Sequence, residues 1–92
     1  MLEVVYSKRY RKSINKYSRS ARLNIDLIES VIFKIARGEK LEDKYKDHQL
    51  FGKLLGYREC HIKSDLLLIY RIYKDESVLL LFNLGSHSEL FG

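Results

Sequence analysis

The 92-residue chain contains no proline and only one cysteine. Without proline, nothing locks a loop or interrupts a helix by removing a backbone donor, which suits regular elements joined by short turns. The lone Cys60 excludes an internal disulfide and suits a reducing compartment; its place beside Ile62 in an alternating pattern predicts a buried structural thiol. Long apolar runs are also lacking. The richest, Leu66-Leu67-Leu68-Ile69-Tyr70, is far too short to span a bilayer and is followed at once by Arg71. With no cleavable leader either, the expectation is a cytoplasmic protein with no membrane-spanning segment. The five glycines match no phosphate-cradling fingerprint. Neither HExxH nor CxxC occurs, and Cys60 and His61 are adjacent, so a strand points them to opposite faces. No metal and no cofactor are expected.

What remains is 46% hydrophobic and 32% charged, a globular composition, and residues 1–92 are expected to form a single domain. The net charge of +5 is concentrated at one end: Lys8, Arg9, Arg11, Lys12, Lys16, Arg19 and Arg22 face only Glu3 within the first 22 residues. Such a field draws polyanions from a distance. Charge alone leaves RNA, DNA, an acidic protein and a membrane surface all open as partners.

Leu2 to Tyr6 reads as a first strand. Ser7 is placed to cap a helix that carries Tyr10, Ile14 and Tyr17 on one side. A second helix, opened by Ser18 or Ser20 and running to Arg37, buries Leu23, Leu27, Ile28, Val31, Ile32, Ile35 and Ala36, with Gly38 at its C-terminal cap. Glu39 to Gly56 is polar and reads as a long irregular connection. The period then changes from 3.6 to 2, and Tyr57–Lys63, Leu66–Lys74 and Ser77–Leu84 form antiparallel strands with turns at Ser64-Asp65 and Asp75-Glu76. The fold class is α+β, with helices segregated on a mostly antiparallel sheet. Two-residue turns place Tyr57, Glu59, His61, Leu68, Tyr70, Leu81 and Asn83 on one open face. Cys60, Ile62, Leu67, Ile69, Leu80, Phe82 and Leu84 then form the core face.

Three histidines are the candidates for chemistry. His48 lies beside Asp47 in the connection, His61 near a strand end with Asp65 in the next turn, and His87 after the last strand. Cleaving RNA through its own 2′-hydroxyl needs a base, an acid for the leaving 5′-oxygen and positive charge near the phosphate. Histidine serves both proton-transfer roles near neutral pH. Periodicity alone does not show that the three converge.

Three blocks of sequence carry a family resemblance. They are Asp47-His48-Gln49-Leu50-Phe51-Gly52, then Gly56 through Tyr70 with Arg58-Glu59-Cys60-His61-Ile62 and Asp65-Leu66-Leu67-Leu68-Ile69-Tyr70, and Leu84-Gly85-Ser86-His87-Ser88-Glu89-Leu90-Phe91. Together they resemble the YafQ-like branch of the RelE/ParE toxin superfamily, whose order of strand, two helices and sheet also matches, with a compact C-terminal end. The resemblance implies a bacterial type II toxin that enters the ribosomal A site and cuts messenger RNA through the 2′-hydroxyl without metal. A cognate antitoxin would neutralise it, with operator DNA contacted only indirectly through that antitoxin. The implied catalytic residues are His48, His61, Asp65, His87 and Phe91, with His87 as general acid. Lys8, Arg9, Arg11, Lys12, Lys16, Arg19, Arg22 and Arg58 would contact the 70S ribosome and messenger RNA. One position departs from the family: Asn83 stands where an arginine is usual, and the arginines that could compensate, Arg58 and Arg71, fall on the opposite face in the expected register. A ParE-like poison of DNA gyrase and a weakened homologue serving as a co-repressor are the alternatives.

Overall fold

Ser7 marks where strand gives way to helix. Its Oγ accepts the Tyr10 N–H at 3.0 Å, so β1 (Glu3–Tyr6) passes directly into α1 (Lys8–Ser18). The structure, a computed structural model, describes residues 1–19 and 25–92. Ser18 does not open the second helix: its Oγ donates to the Asn15 carbonyl at 2.8 Å, a bond back into α1. The alternative start at Ser20, together with Arg22 and Leu23, lies outside the described residues. α2 (Ile25–Ala36) buries Ile28, Val31, Ile32, Ile35 and Ala36, the stripe that the 3.6-residue period calls for. Gly38 ends it at φ +78°, and the N–H groups of Gly38 and Glu39 close onto the carbonyls of Ile35 and Lys34 at 3.0 Å.

Among the described residues, five strands make one sheet in the order β1-β5-β4-β3-β2. These are β2 (His48–Gln49), β3 (Arg58–Lys63), β4 (Leu66–Tyr73) and β5 (Val78–Gly85) besides β1. β1 runs parallel to β5 and every other pair is antiparallel. A short α3 (His87–Phe91) closes the chain. The segment from Glu39 to Gly56 is more ordered than its polarity suggests. It buries Leu41 and Tyr45, forms single helical turns at Asp43–Tyr45 and Gly52–Leu54, and supplies the edge strand β2.

Both tight turns fall where expected, yet the faces do not. Lys63 pairs with Leu66, but the next pair is His61 with Leu67, so Ile62 is the extra residue of a bulge. A second shift takes Ile69 opposite Asn83 and Tyr70 opposite Leu81. Each bulge inverts side-chain parity from there on. Leu68, Tyr70, Leu79 and Leu81 therefore join Cys60, Ile62 and Leu84 in the core beneath the helices. Leu67, Ile69 and Leu80 lie instead on the face of Glu59, His61 and Asn83, and Arg71 is with them. Because the two shifts cancel across β4, His61 and Asn83 still share a face, as expected. Cys60 is fully buried, and burial pushes its thiol pKa up, which fits the expected structural role. No helix among the described residues is long and apolar enough to cross a membrane.

Leu68 is fully buried in the centre of this core, whereas Phe33 on the outer side of α2 is 53% exposed. Leu68→Ala is expected to cost roughly 2–5 kcal/mol in urea denaturation. Phe33→Ala should stay within about 0.5 kcal/mol of the parent.

Candidate functional site

The second sheet face carries its polar residues in two adjacent rows. His48, Glu59, Ile69 and Asn83 are partners across β2, β3, β4 and β5, and His61, Leu67 and Gly85 form the next row. Glu59 is 5% exposed, and its Oε1 lies 3.5 Å from His48 Nε2 and 3.8 Å from His61 Nε2. Its Oε2 is buried with no hydrogen-bond partner among the described residues. A carboxylate held away from water in this way is costly unless a charged or donating group answers it. The two imidazoles are the groups in place to do so. His48 Nδ1 lies 2.6 Å from the Lys46 carbonyl, which can only accept, so Nδ1 carries a proton and Nε2 is the nitrogen turned to Glu59. Glu59 was not among the expected site residues. Its alternation with His61 at a spacing of two was the signal that could have singled it out.

Asp47 anchors the strand that bears His48. Its carboxylate accepts the Tyr70 hydroxyl at 2.6 Å and two Arg58 N–H bonds at 3.2 and 3.3 Å. Burial raises the Tyr70 pKa, and Asp47 adds to that by repelling phenolate charge. Arg58, expected to meet RNA, thus commits its guanidinium to Asp47.

The other expected residues gather at the C-terminal end. Ser86 and Glu89 form a reciprocal capping box that starts α3: Ser86 Oγ accepts the Glu89 N–H, and Glu89 accepts the Ser86 N–H. Asp65 reaches from the β3–β4 turn to accept the His87 backbone N–H at 2.9 Å. His87 is exposed, and its ring lies 5.1 Å from that of Phe91, itself 43% exposed. Two groups result, His48–Glu59–His61 and Asp65–His87–Phe91. The row partners His61 and Gly85 flank β4, a backbone separation of roughly 10 Å. The candidate site is the area between the two groups, with His48 and His61 beside Glu59 and His87 beside Phe91.

Positive charge borders this area on two sides. Lys44, Lys46 and Lys63 line a groove of about 300 Å³ that includes His61. Arg9, Lys12 and Lys16 of α1 line a cleft of about 260 Å³ with Asn83, Glu89 and Leu90. Asn83 Oδ1 accepts from Ser13 Oγ at 3.3 Å and from the Leu84 N–H at 2.9 Å, which leaves its amide donors uncommitted among the described residues. Cations therefore stand around Asn83, though they come from α1 rather than from the strand. Lys8, Arg11 and Arg19 are exposed as well.

Glu89 also joins α3 to α1. It accepts Lys16 Nζ at 2.6 Å and the Tyr17 hydroxyl. Lys16, then the Ser86 N–H and Tyr17, hold its carboxyl well below the usual range, at about 2, while the Tyr17 phenol is pushed up to about 12, first by burial and then by Glu89.

A strand, two helices and a mostly antiparallel sheet ending in a short helix form the α+β architecture of RelE/ParE-like toxins. The model of the YafQ family, described as a bacterial toxin of a type II toxin–antitoxin system, matches residues 2–92, and the chain belongs to that family. It is 29% identical over 91 residues to the mRNA interferase toxin YafQ of Escherichia coli K12, covering 98% of this chain and 96% of the relative. It superposes with a TM-score of 0.92 on a metal-bound toxin from Helicobacter pylori, at 44% identity, covering 99% of this chain and all of the other (100%). The toxin–antitoxin complex DinJ–YafQ of E. coli matches with a TM-score of 0.86 at 27% identity, covering 99% and 98%. Among the described residues of this chain, no group of three or more His, Cys, Asp or Glu side chains is arranged to hold a metal ion.

Because the folded Glu89 pKa lies below its unfolded value, the clamp contributes fully above the ordinary carboxylate range of about 4.3 and is lost as pH falls towards 2. Carboxyl NMR should show Glu89 titrating near 2, with the α3 amides following it. In Lys16→Met the midpoint should rise towards the ordinary range.

Proposed function

We propose that this chain is a ribosome-dependent endoribonuclease that cleaves translated messenger RNA in the ribosomal A site and is held in check by a cognate antitoxin. The observation that carries this reading is the division of proton-transfer groups across β4. A Glu59-held histidine pair stands on one side, and a helix-mounted histidine with an exposed phenylalanine stands on the other. Support comes from the E. coli relative, named an mRNA interferase, and from the toxin–antitoxin complex that shares the fold.

In-line attack on a phosphodiester places the entering 2′-oxygen and the departing 5′-oxygen on opposite sides of phosphorus. Acid and base must then stand apart, with the phosphate between them. His48 and His61 are the groups for the 2′-hydroxyl proton, and Glu59 stabilises the imidazolium that results. The 2′-oxygen bonds to phosphorus, the bond to the 5′-oxygen breaks, and His87 gives that oxygen its proton. The products are a 2′,3′-cyclic phosphate and a 5′-hydroxyl. Asp65 acts as a positioning residue, since its contact is with the His87 backbone. Phe91 offers an exposed ring to a neighbouring base. Arg9, Lys12 and Lys16 supply positive charge beside Asn83, where the family uses an arginine. All chemistry is assigned to side chains, with no metal or cofactor and no membrane partner, in the bacterial cytoplasm.

Purified protein added to a translating extract should cut within codons of the message being read. His87→Ala should lower single-turnover cleavage on programmed ribosomes by roughly 10²–10⁴-fold, the usual contribution of a proton-transfer group, with an unchanged melting temperature. Full activity of that variant, or stalled elongation with intact message, would overturn this reading.

A further inference from the structure

A line of cations and rings crosses the same sheet face one row beyond the histidines. The Arg9 guanidinium lies 5.6 Å from the Phe82 ring centroid, and the Phe82 and Tyr57 rings are 4.9 Å apart at 48°. Arg71 then stands 5.3 Å from the Tyr57 ring and 4.9 Å from that of Tyr73. These residues come from α1, β5, the approach to β3, and β4, so only the folded sheet assembles them. Phe82 and Tyr57 flank β4 from either side, and their rings meet across it.

Three observations set this stripe apart from ordinary packing. Tyr57, Phe82, Arg71 and Tyr73 are half-buried, and none belongs to the hydrophobic core. Arg9 and Arg71 have no carboxylate partner among the described residues, although the chain pairs several of its other cations. Gly56, at φ +95°, leaves space for Arg71: a Cβ there would stand 3.1 Å from the guanidinium carbon. Tyr57 lies two residues before Glu59 along the chain, roughly 7 Å from the His48–Glu59 row.

We propose that the Arg9–Phe82–Tyr57–Arg71–Tyr73 stripe is a stacking platform for the unpaired bases of RNA flanking the cleaved linkage. This rests on the reading of the chain as an RNA-cutting toxin and adds where its substrate is held. Bases stack on aromatic faces and on guanidinium planes with little sequence preference, and unpaired guanidinium groups add attraction for the backbone. An acidic protein segment would engage the two arginines but leave the rings between them without a matching group. Bases in a duplex are already stacked and cannot enter.

The test uses the His87→Ala protein, in which cleavage is expected to be strongly reduced, and fluorescence anisotropy of a labelled single-stranded RNA hexamer. Tight single-strand binding with weak binding of the matching duplex is expected. Tyr57→Leu and Arg71→Gln should each weaken it about tenfold, the scale of one lost stacking contact. Arg71→Lys should weaken it too, since charge without a flat surface does not stack. Tyr57→Phe, which keeps the ring, should restore binding. The chain has seven tyrosines and no tryptophan, so quenching of tyrosine emission by RNA gives a second readout. With His87 retained, the losses on ribosomes should fall on KM rather than kcat.

Parent-like binding by folded Tyr57→Leu and Arg71→Gln would overturn the proposal, as would equal affinity for duplex or no single-strand binding at low salt. Variants that keep RNA but lose a co-expressed antitoxin would make the stripe a protein-docking surface and overturn it equally. Binding at the stripe without cleavage on ribosomes would instead count against the nuclease reading alone.

Discussion

From Leu67 to Tyr70, β4 is buried on both faces, and the rest of the molecule is arranged around that constraint. Leu68 and Tyr70 face the helices, while Leu67 and Ile69, on the other side, are 1% and 2% exposed. A strand polar on one side tells its neighbours which way to turn; this one does not. The choice is made by two bulges, at Ile62 and beside Asn83, which shift the register once on each flank of β4. Their cancellation brings Glu59, His61 and Asn83 onto one surface. It also turns Arg71 into that surface, beside Tyr57, rather than leaving it on the core side.

Around this sheet, the residues that face the open area are held by others behind them. Asp47 ties His48's strand to Arg58 and Tyr70. Glu89 ties α3 to α1 through Lys16 and Tyr17, and Asp65 holds the first turn of α3 from a different hairpin. A short helix at a chain end would otherwise fray. Among the described residues, only Glu59 sits inside with an oxygen unmet by any donor, a destabilising placement. That cost is concentrated at one carboxylate beside two imidazoles, the groups to which the proposed reading assigns proton transfer.

Elements with one dominant local signal were legible in the sequence: the Ser7 cap, the stripe of α2, the Gly38 stop, both tight turns and the burial of Cys60. So were the three histidines and the terminal block, because motif residues keep their spacing whatever face they occupy. The connection through Glu39–Gly56 was not legible. Its order comes from Leu41 and Tyr45 packing on the core and from Asp47 finding Arg58 and Tyr70, contacts distant along the chain.

By itself the sequence determined the main strands and helices, their order, the basic first helix and the three candidate histidines. These follow from period, caps and residue type, all of which act over a few neighbouring positions. Only the tertiary structure decided which side of each strand is core. A bulge adds one residue without altering composition or period enough to announce itself, yet it inverts every side chain beyond it. For the same reason only the folded sheet could show Glu59 between His48 and His61, and bring Arg9, Phe82, Tyr57, Arg71 and Tyr73 into line.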